Sequence, residues 1–146
     1  MARFHYQKLA VSEEAFKLVV LVDGLTSRLE RKRYYLADQI RRAALSVLLN
    51  IGEAAAEFNA AEKARIFGLA RRSAEEVAIG LAVSVRLSLL SDELISASIE
   101  QAGQVNGMLT GLIVYHRKQS AKNKGASRKP SRPAPGESSQ RFVPDL

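Results

Sequence analysis

Between Tyr34 and Phe58 the chain carries two parallel stripes at helical spacing. Leu36, Ile40, Ala43, Val47, Ile51 and Phe58 recur three or four residues apart, or at multiples of that step, which predicts an amphipathic helix with one buried face. Beside them Gln39, Arg42, Ser46, Asn50 and Glu53 recur at the same spacing, so a line of hydrogen-bonding groups runs along the edge of the core face. A solvated face is more usually rich in Lys and Glu. Ser and Asn inside a run as apolar as Ala43 to Ile51 are therefore expected to pack against another element.

Three more helices follow from the same reasoning. The first is predicted from about Glu13 to Arg31, with Ser12 as N-cap, Glu13 and Glu14 favourable to the helix dipole, and Phe16, Val19, Val20, Val22, Leu25 and Leu29 as apolar positions. The third starts where Asn59 can cap and Glu62 stands three residues on, and carries Ile66, Leu69, Ala70, Val77, Leu81 and Leu87 to about Leu90. The fourth begins near Ser91 or Asp92 and runs through Leu94, Ile95, Ile99, Ala102, Val105, Leu109 and Leu112 to about Lys118. Short connections make neighbours antiparallel, and no period-2 strand pattern interrupts the series. The expected fold is all-α, an antiparallel up-down-up-down four-helix bundle.

Within that bundle Ser73, Glu76, Gly80 and Ser84 form a polar side of the third helix that matches the line on the second. An inward Arg42 needs a carboxylate, and Glu76 is the expected partner, because breaking a buried pair of this kind costs ~3–5 kcal/mol. Gln39, Arg42, Ser46, Asn50, Glu53, Ser73 and Glu76 are thus read as a structural polar network. Gly103, Gly107 and Gly111 lie four apart on the fourth helix, and glycine costs a helix interior roughly 1 kcal/mol relative to alanine. Such a stripe suggests the close approach of another helix, within the bundle or between subunits; Gln104, Asn106 and Thr110 argue against a membrane role.

Charge divides the chain. Residues 1–116 hold 14 Lys and Arg against 13 Asp and Glu, whereas residues 117–146 hold 8 against 2, so +6 of the net +7 sits at the C-terminal end. That end also contains Pro130, Pro133, Pro135, Pro144 and many Ser, with few large apolar side chains to offset the entropy of ordering. Residues 1–118 are therefore read as the bundle and 119–146 as a disordered basic tail. Such a tail attracts phosphate backbones in a salt-dependent way, or serves solubility alone. Cysteine is absent, which removes disulfides and thiolate metal sites. The opening residues lack the pattern of a secretory signal, and the longest apolar run stops at Asp23, short of the ~20 residues that span a bilayer. A cytoplasmic protein is expected.

Catalysis finds no support in the residues. A carboxylate-bridged metal pair in a bundle needs Glu three residues before His on two helices, and neither His5 nor His116 has one. Glu53, Glu57 and Glu76 read as solvated or paired carboxylates, and His116 as a residue complementing a helix C-terminus. No phosphate loop, nucleophile elbow or zinc pattern is present. No catalytic residue, metal or cofactor is assigned.

The run LADQIRRAALSVLLNIGEA resembles the core motif of the four-helix-bundle family that includes proteins encoded in 23S rRNA intervening sequences and the Avd accessory proteins of diversity-generating retroelements. The matching positions are Leu36, Gln39, Ile40, Arg41, Arg42, Ala43, Ala44, Ser46, Asn50, Ile51 and Glu53; Ala70, Arg71, Ser73 and Glu76 in ARRSAEE resemble a second motif. The resemblance spans roughly residues 4–115. Ala54 stands where the family usually has glycine, which lets the second helix continue through Ala55 and Ala56, and Arg72 stands where glycine is common. The resemblance implies ring-shaped homopentamers and, in the retroelement branch, binding to nucleic acid and to a reverse transcriptase.

Two function classes follow. The first is a non-catalytic oligomeric accessory protein that binds nucleic acid, RNA foremost, largely through phosphate contacts by Arg41, Arg71, Arg72, Arg117, Lys118, Lys122, Lys124, Arg128, Lys129 and Arg132, with a reverse transcriptase as a conceivable partner. The alternative is a protein–protein interaction scaffold with no nucleic-acid role.

Overall fold

A computed structural model describes Met1 and residues 3–128, which form four helices and, among the described residues, no strand. A single 3₁₀ turn, His5–Lys8, leads into α1 (Ala10–Thr26), α2 (Tyr34–Ala56), α3 (Ala60–Arg86) and α4 (Asp92–Ser127). Each helix packs on its neighbours in sequence and α1 closes onto α4, the square arrangement of an up-and-down bundle. The core runs along its axis, with Leu18 and Val22 from α1, Ile40, Val47 and Ile51 from α2, Phe67, Val77 and Leu81 from α3, and Val105, Leu109 and Ile113 from α4. Among the described residues no helix is long and apolar enough to cross a membrane.

The helix ends follow local chemistry. Asn59 caps α3 by accepting the Glu62 amide at 3.0 Å, and Ser91 caps α4 by accepting that of Leu94 at 3.3 Å. α2 does continue through Ala55 to Ala56, and Lys63 Nζ donates to the Ala54 and Ala55 carbonyls at 3.0 and 3.2 Å, closing its C-terminus. α3 ends at Arg86, short of the expected Leu90, and just beyond it Ser88, with φ of 59°, lets the Leu89 amide reach back to the Ser84 carbonyl while the Ser88 amide donates to that of Val85.

Several expectations are corrected. α1 begins at Ala10, and Ser12 is a buried residue inside it, not its cap. It ends at Thr26, short of Arg31, where the Thr26 hydroxyl turns back to the Val22 carbonyl at 2.7 Å. α1 is apolar on more than one side, and the face that packs is Val11, Ala15, Leu18, Val22 and Leu25; Phe16 and Val20 stay exposed. Leu87 and Leu94, at the α3–α4 turn, are exposed as well. Phe58 follows α2 instead of ending its stripe and is 92% exposed. Gly103, Gly107 and Gly111 face open space within the chain, and the glycine that admits a neighbouring helix is Gly80, where an added Cβ would lie 2.5 Å from Ile40 Cγ1.

The largest difference lies at the C-terminal end. α4 does not stop near Lys118 but continues to Ser127, so 119–127 belong to the helix and not to a tail. Between Arg117 and Gly125 the chain holds only Lys, Gln, Ser, Ala and Asn, none of which breaks a helix, and its cations favour the negative end of the dipole. Lys129, Arg132 and the remainder of the expected disordered tail, residues 129–146, lie outside the described residues.

Candidate nucleic-acid interface

The two adjacent arginines of α2 occupy different environments. Arg41 Nε donates to Thr26 Oγ1 at 2.9 Å, lies 3.6 Å from Asp23 Oδ1, and its Nη1 pairs with the Glu30 carboxylate. These contacts raise its pKa further, hydrogen bonding to Glu30 foremost, and leave its side chain 29% exposed. Arg41, expected on a nucleic-acid-facing patch, instead fastens α2 to the end of α1. Arg42, expected inward against Glu76, is 74% exposed and pairs with Asp38 one turn back at 2.8 Å, while Glu76 is exposed. A partner four residues away on the same helix requires no other element to be in place, and it takes the guanidinium.

Part of the expected polar line does meet across α2 and α3. Ser46 Oγ and Ser73 Oγ are 2.9 Å apart, and Asn50 Nδ2 donates to the Ser46 carbonyl at 2.8 Å and to its hydroxyl at 3.1 Å. A hydroxyl and an amide of this kind are tolerated in a seam because their hydrogen bonds are made inside it. Gln39, Arg42, Glu53 and Glu76 stay exposed and do not join this cluster.

The seam between α3 and α4 is open and basic. Ala64, Gly68, Leu69 and Ile113 lie in a cleft whose charged lining is Arg65, Arg71, Arg72 and Arg117. Small side chains at 64 and 68 leave room along the seam for the guanidiniums. Arg65 is held by the Glu62 carboxylate through contacts of 3.0 to 3.1 Å, and Arg71 Nη1 reaches Thr110 Oγ1 at 3.4 Å. Among the described residues none that lines this cleft is a carboxylate, and Glu62 pairs with Arg65 from outside it. It continues past Ala61, Arg65, Arg117 and Ser120 to a third segment formed by Asn59, Ala60, Ala61, Ser120, Asn123, Lys124 and Ser127. Along the same part of α4, residues 117–128 carry Arg117, Lys118, Lys122, Lys124 and Arg128 and no acidic residue, all five exposed.

Thus Arg71, Arg72 and Arg117 share one cleft and Lys124 lines its continuation, whereas Lys118, Lys122 and Arg128 are exposed on the same stretch of chain without lining it, and Arg41 stands apart between α1 and α2. Arg65 was not singled out from the sequence, although it sits two turns before Arg72 and hence on the same helix face. At the floor of this seam His116 stacks on Phe67, ring centroids 5.6 Å apart. Burial lowers its pKa and the nearby Lys63 lowers it further. Since α4 runs on to Ser127, His116 does not complement the helix terminus as expected. Among the described residues no three His, Asp or Glu side chains gather as metal ligands would.

A family model described as 23S rRNA-intervening sequence protein matches residues 7–111. Comparison with curated protein sequences gives no match. The family match covers the end of the 3₁₀ turn, α1, α2, α3 and the first part of α4, and it ends before Arg117 and the basic continuation of that helix.

Proposed function

Because the chain belongs to the 23S rRNA-intervening sequence protein family, we propose that it is a non-catalytic, oligomeric accessory protein that binds nucleic acid, RNA foremost, through phosphate contacts. The observation that carries this reading is the convergence of Arg65, Arg71, Arg72 and Arg117 in one cleft, with Lys124 on its continuation and Lys118, Lys122 and Arg128 exposed along the same stretch of chain. Guanidiniums present forked donors that suit phosphate oxygens, and a row of them holds a backbone without reading its sequence. Self-association is supported by apolar surface on two sides of the bundle. Phe16, Leu48 and Leu49 line a shallow hollow with Tyr6 and Gly52 between α1 and α2, and Ile79 and Val83 are exposed on α3. Several basic clefts carried by one assembly would add avidity to individually weak contacts.

The same apolar surface favours the second reading, a scaffold for protein partners, among which a reverse transcriptase is one candidate by family resemblance. Electrophoretic mobility of structured RNA and duplex DNA separates the two. The full chain is expected to shift both at low salt and less at physiological salt. The triple variant Arg71→Ala, Arg72→Ala, Arg117→Ala is expected to lose about 10-fold or more in affinity and to show a shallower salt dependence. Absence of any salt-sensitive shift by the intact protein overturns the nucleic-acid reading and leaves the scaffold.

A further inference from the structure

The connection between α2 and α3 is three residues long, Glu57, Phe58 and Asn59, and every backbone amide in it is engaged. The Glu57 amide donates to the Ala54 carbonyl at 3.3 Å, and the Phe58 and Asn59 amides both donate to Glu57 Oε1, at 3.0 and 3.1 Å. Asn59 in turn caps α3, and Lys63 holds the last carbonyls of α2 from below. The loop is fixed, yet its central side chain is left in water: Phe58 is 92% exposed. The ring makes no packing contribution within the chain, so its faces are free for another molecule.

Its surroundings indicate what would cover it. Asn59, the next residue, lines the cleft segment formed with Asn123, Lys124 and Ser127 of α4, and that segment joins through Ala61 and Ser120 to the one lined by Arg65 and Arg117. Glu57 is the carboxylate of the loop, and the oxygen Oε1 is already occupied by two amides. An exposed aromatic ring one residue from the end of a basic cleft matches the needs of a single strand, whose phosphates are held by charge while a base stacks on the ring. We propose that Phe58 is a stacking platform for an unpaired nucleobase of an RNA strand whose phosphates lie along the cleft lined by Arg65, Arg117 and Lys124. This inference rests on the nucleic-acid reading above and adds a ligand class to it: a single-stranded segment or the unpaired end of a duplex.

The test uses the full chain, a 12-nucleotide single-stranded RNA containing 2-aminopurine, and a blunt 20-base-pair RNA duplex. The wild-type protein is expected to change the 2-aminopurine fluorescence on binding, as stacking on a ring does. Phe58→Ala should abolish that change and weaken single-strand binding by about 5- to 100-fold, with little effect on the blunt duplex. Phe58→Trp should restore both. Because the ring is exposed, helicity and thermal midpoint should stay unchanged in both variants. If Phe58→Ala binds the single strand as the wild type does while binding remains salt-sensitive, the platform is overturned and the phosphate reading stands. If Phe58→Ala changes the molecular mass of the assembly by light scattering, the ring packs against a second copy and the platform is likewise overturned. Absence of salt-sensitive binding by the wild type to either RNA overturns both readings together.

Discussion

Helix α3 meets α2 on one side and α4 on the other, and the two seams are built differently. Toward α2 the contact is close. Gly80 lets the helices approach until only hydrogen fits against Ile40, and Ser46, Ser73 and Asn50 satisfy one another inside the seam. Toward α4 a trough opens at the outer edge, where Arg71, Arg72 and Arg117 lie beside Arg65, which Glu62 holds. A polar group whose partners lie within the fold specifies the fold. A charged group left facing solvent beside others of its own sign is available to a ligand, and self-repulsion is the cost of keeping it so. The same contrast separates Arg41 from its neighbour Arg42, and a side chain's partners say more about its role than its type does.

Gly80→Ala attacks the closed seam and has the largest expected effect. The new methyl meets the branched, buried Ile40 side chain, which has little room to move, and the overpacking outweighs the gain in helix propensity. We expect a net loss of about 1–2 kcal/mol in urea denaturation. Gly68→Ala, in the open seam with nothing near the added Cβ, should be neutral or stabilising by up to ~1 kcal/mol. Equal losses at both sites would show that the seams do not differ in closeness.

Next in size is the pair of arginines on α2. Arg41→Ala removes three contacts that tie α2 to the end of α1 and should cost roughly 1–2 kcal/mol in stability while leaving nucleic-acid affinity within about 2-fold of wild type. Arg42→Ala should change stability by no more than ~0.5 kcal/mol. An Arg41 variant that is stable but fails to bind would return that residue to the interface.

The smallest effect concerns His116. Its folded pKa is depressed by burial against Phe67 and by Lys63, so the unfolded chain binds its proton first as pH falls. The stability associated with the neutral ring is therefore fully present above the ordinary histidine range and is lost as pH falls through the lowered folded value. Comparing denaturation midpoints at pH 7.5 and 5 for the wild type and His116→Gln measures this, and the variant should show the shallower loss on acidification.

Much of this was legible in the sequence because the signals are local. The stripe from Leu36 to Ile51, the cap Asn59, the start of α4 at Ser91 or Asp92, and the facing of Ser73 toward the line of Ser46 and Asn50 all follow from helical period and cap chemistry. What was not legible depended on choices made between elements. α1 is apolar on two sides, and only packing decides that Leu18 is buried and Val20 is not. Arg41 turns inward and Arg42 outward because two carboxylates, Asp23 in the last turn of α1 and Glu30 beyond it, come within reach of Arg41, which no spacing within α2 reveals. The continuation of α4 was hidden by its charge, since a run of cations without acids resembles a tail even when each residue is a competent helix former. Arg65 was within reach of the sequence, two turns before Arg72, but its partner Glu62 was read as part of a cap.

The helical continuation of α4 also fixes when an entropic cost falls. In a flexible basic segment each cation is immobilised at the moment of binding, and that ordering weakens the complex and appears as a large negative heat-capacity change. The backbone from Arg117 to Ser127 is already helical in the free chain, so its ordering belongs to folding. Association of a nucleic acid with this stretch should then resemble the docking of two rigid bodies: a small heat-capacity change, a rapid charge-steered encounter, and a lifetime governed by the breaking of ion contacts and not by refolding of the arm.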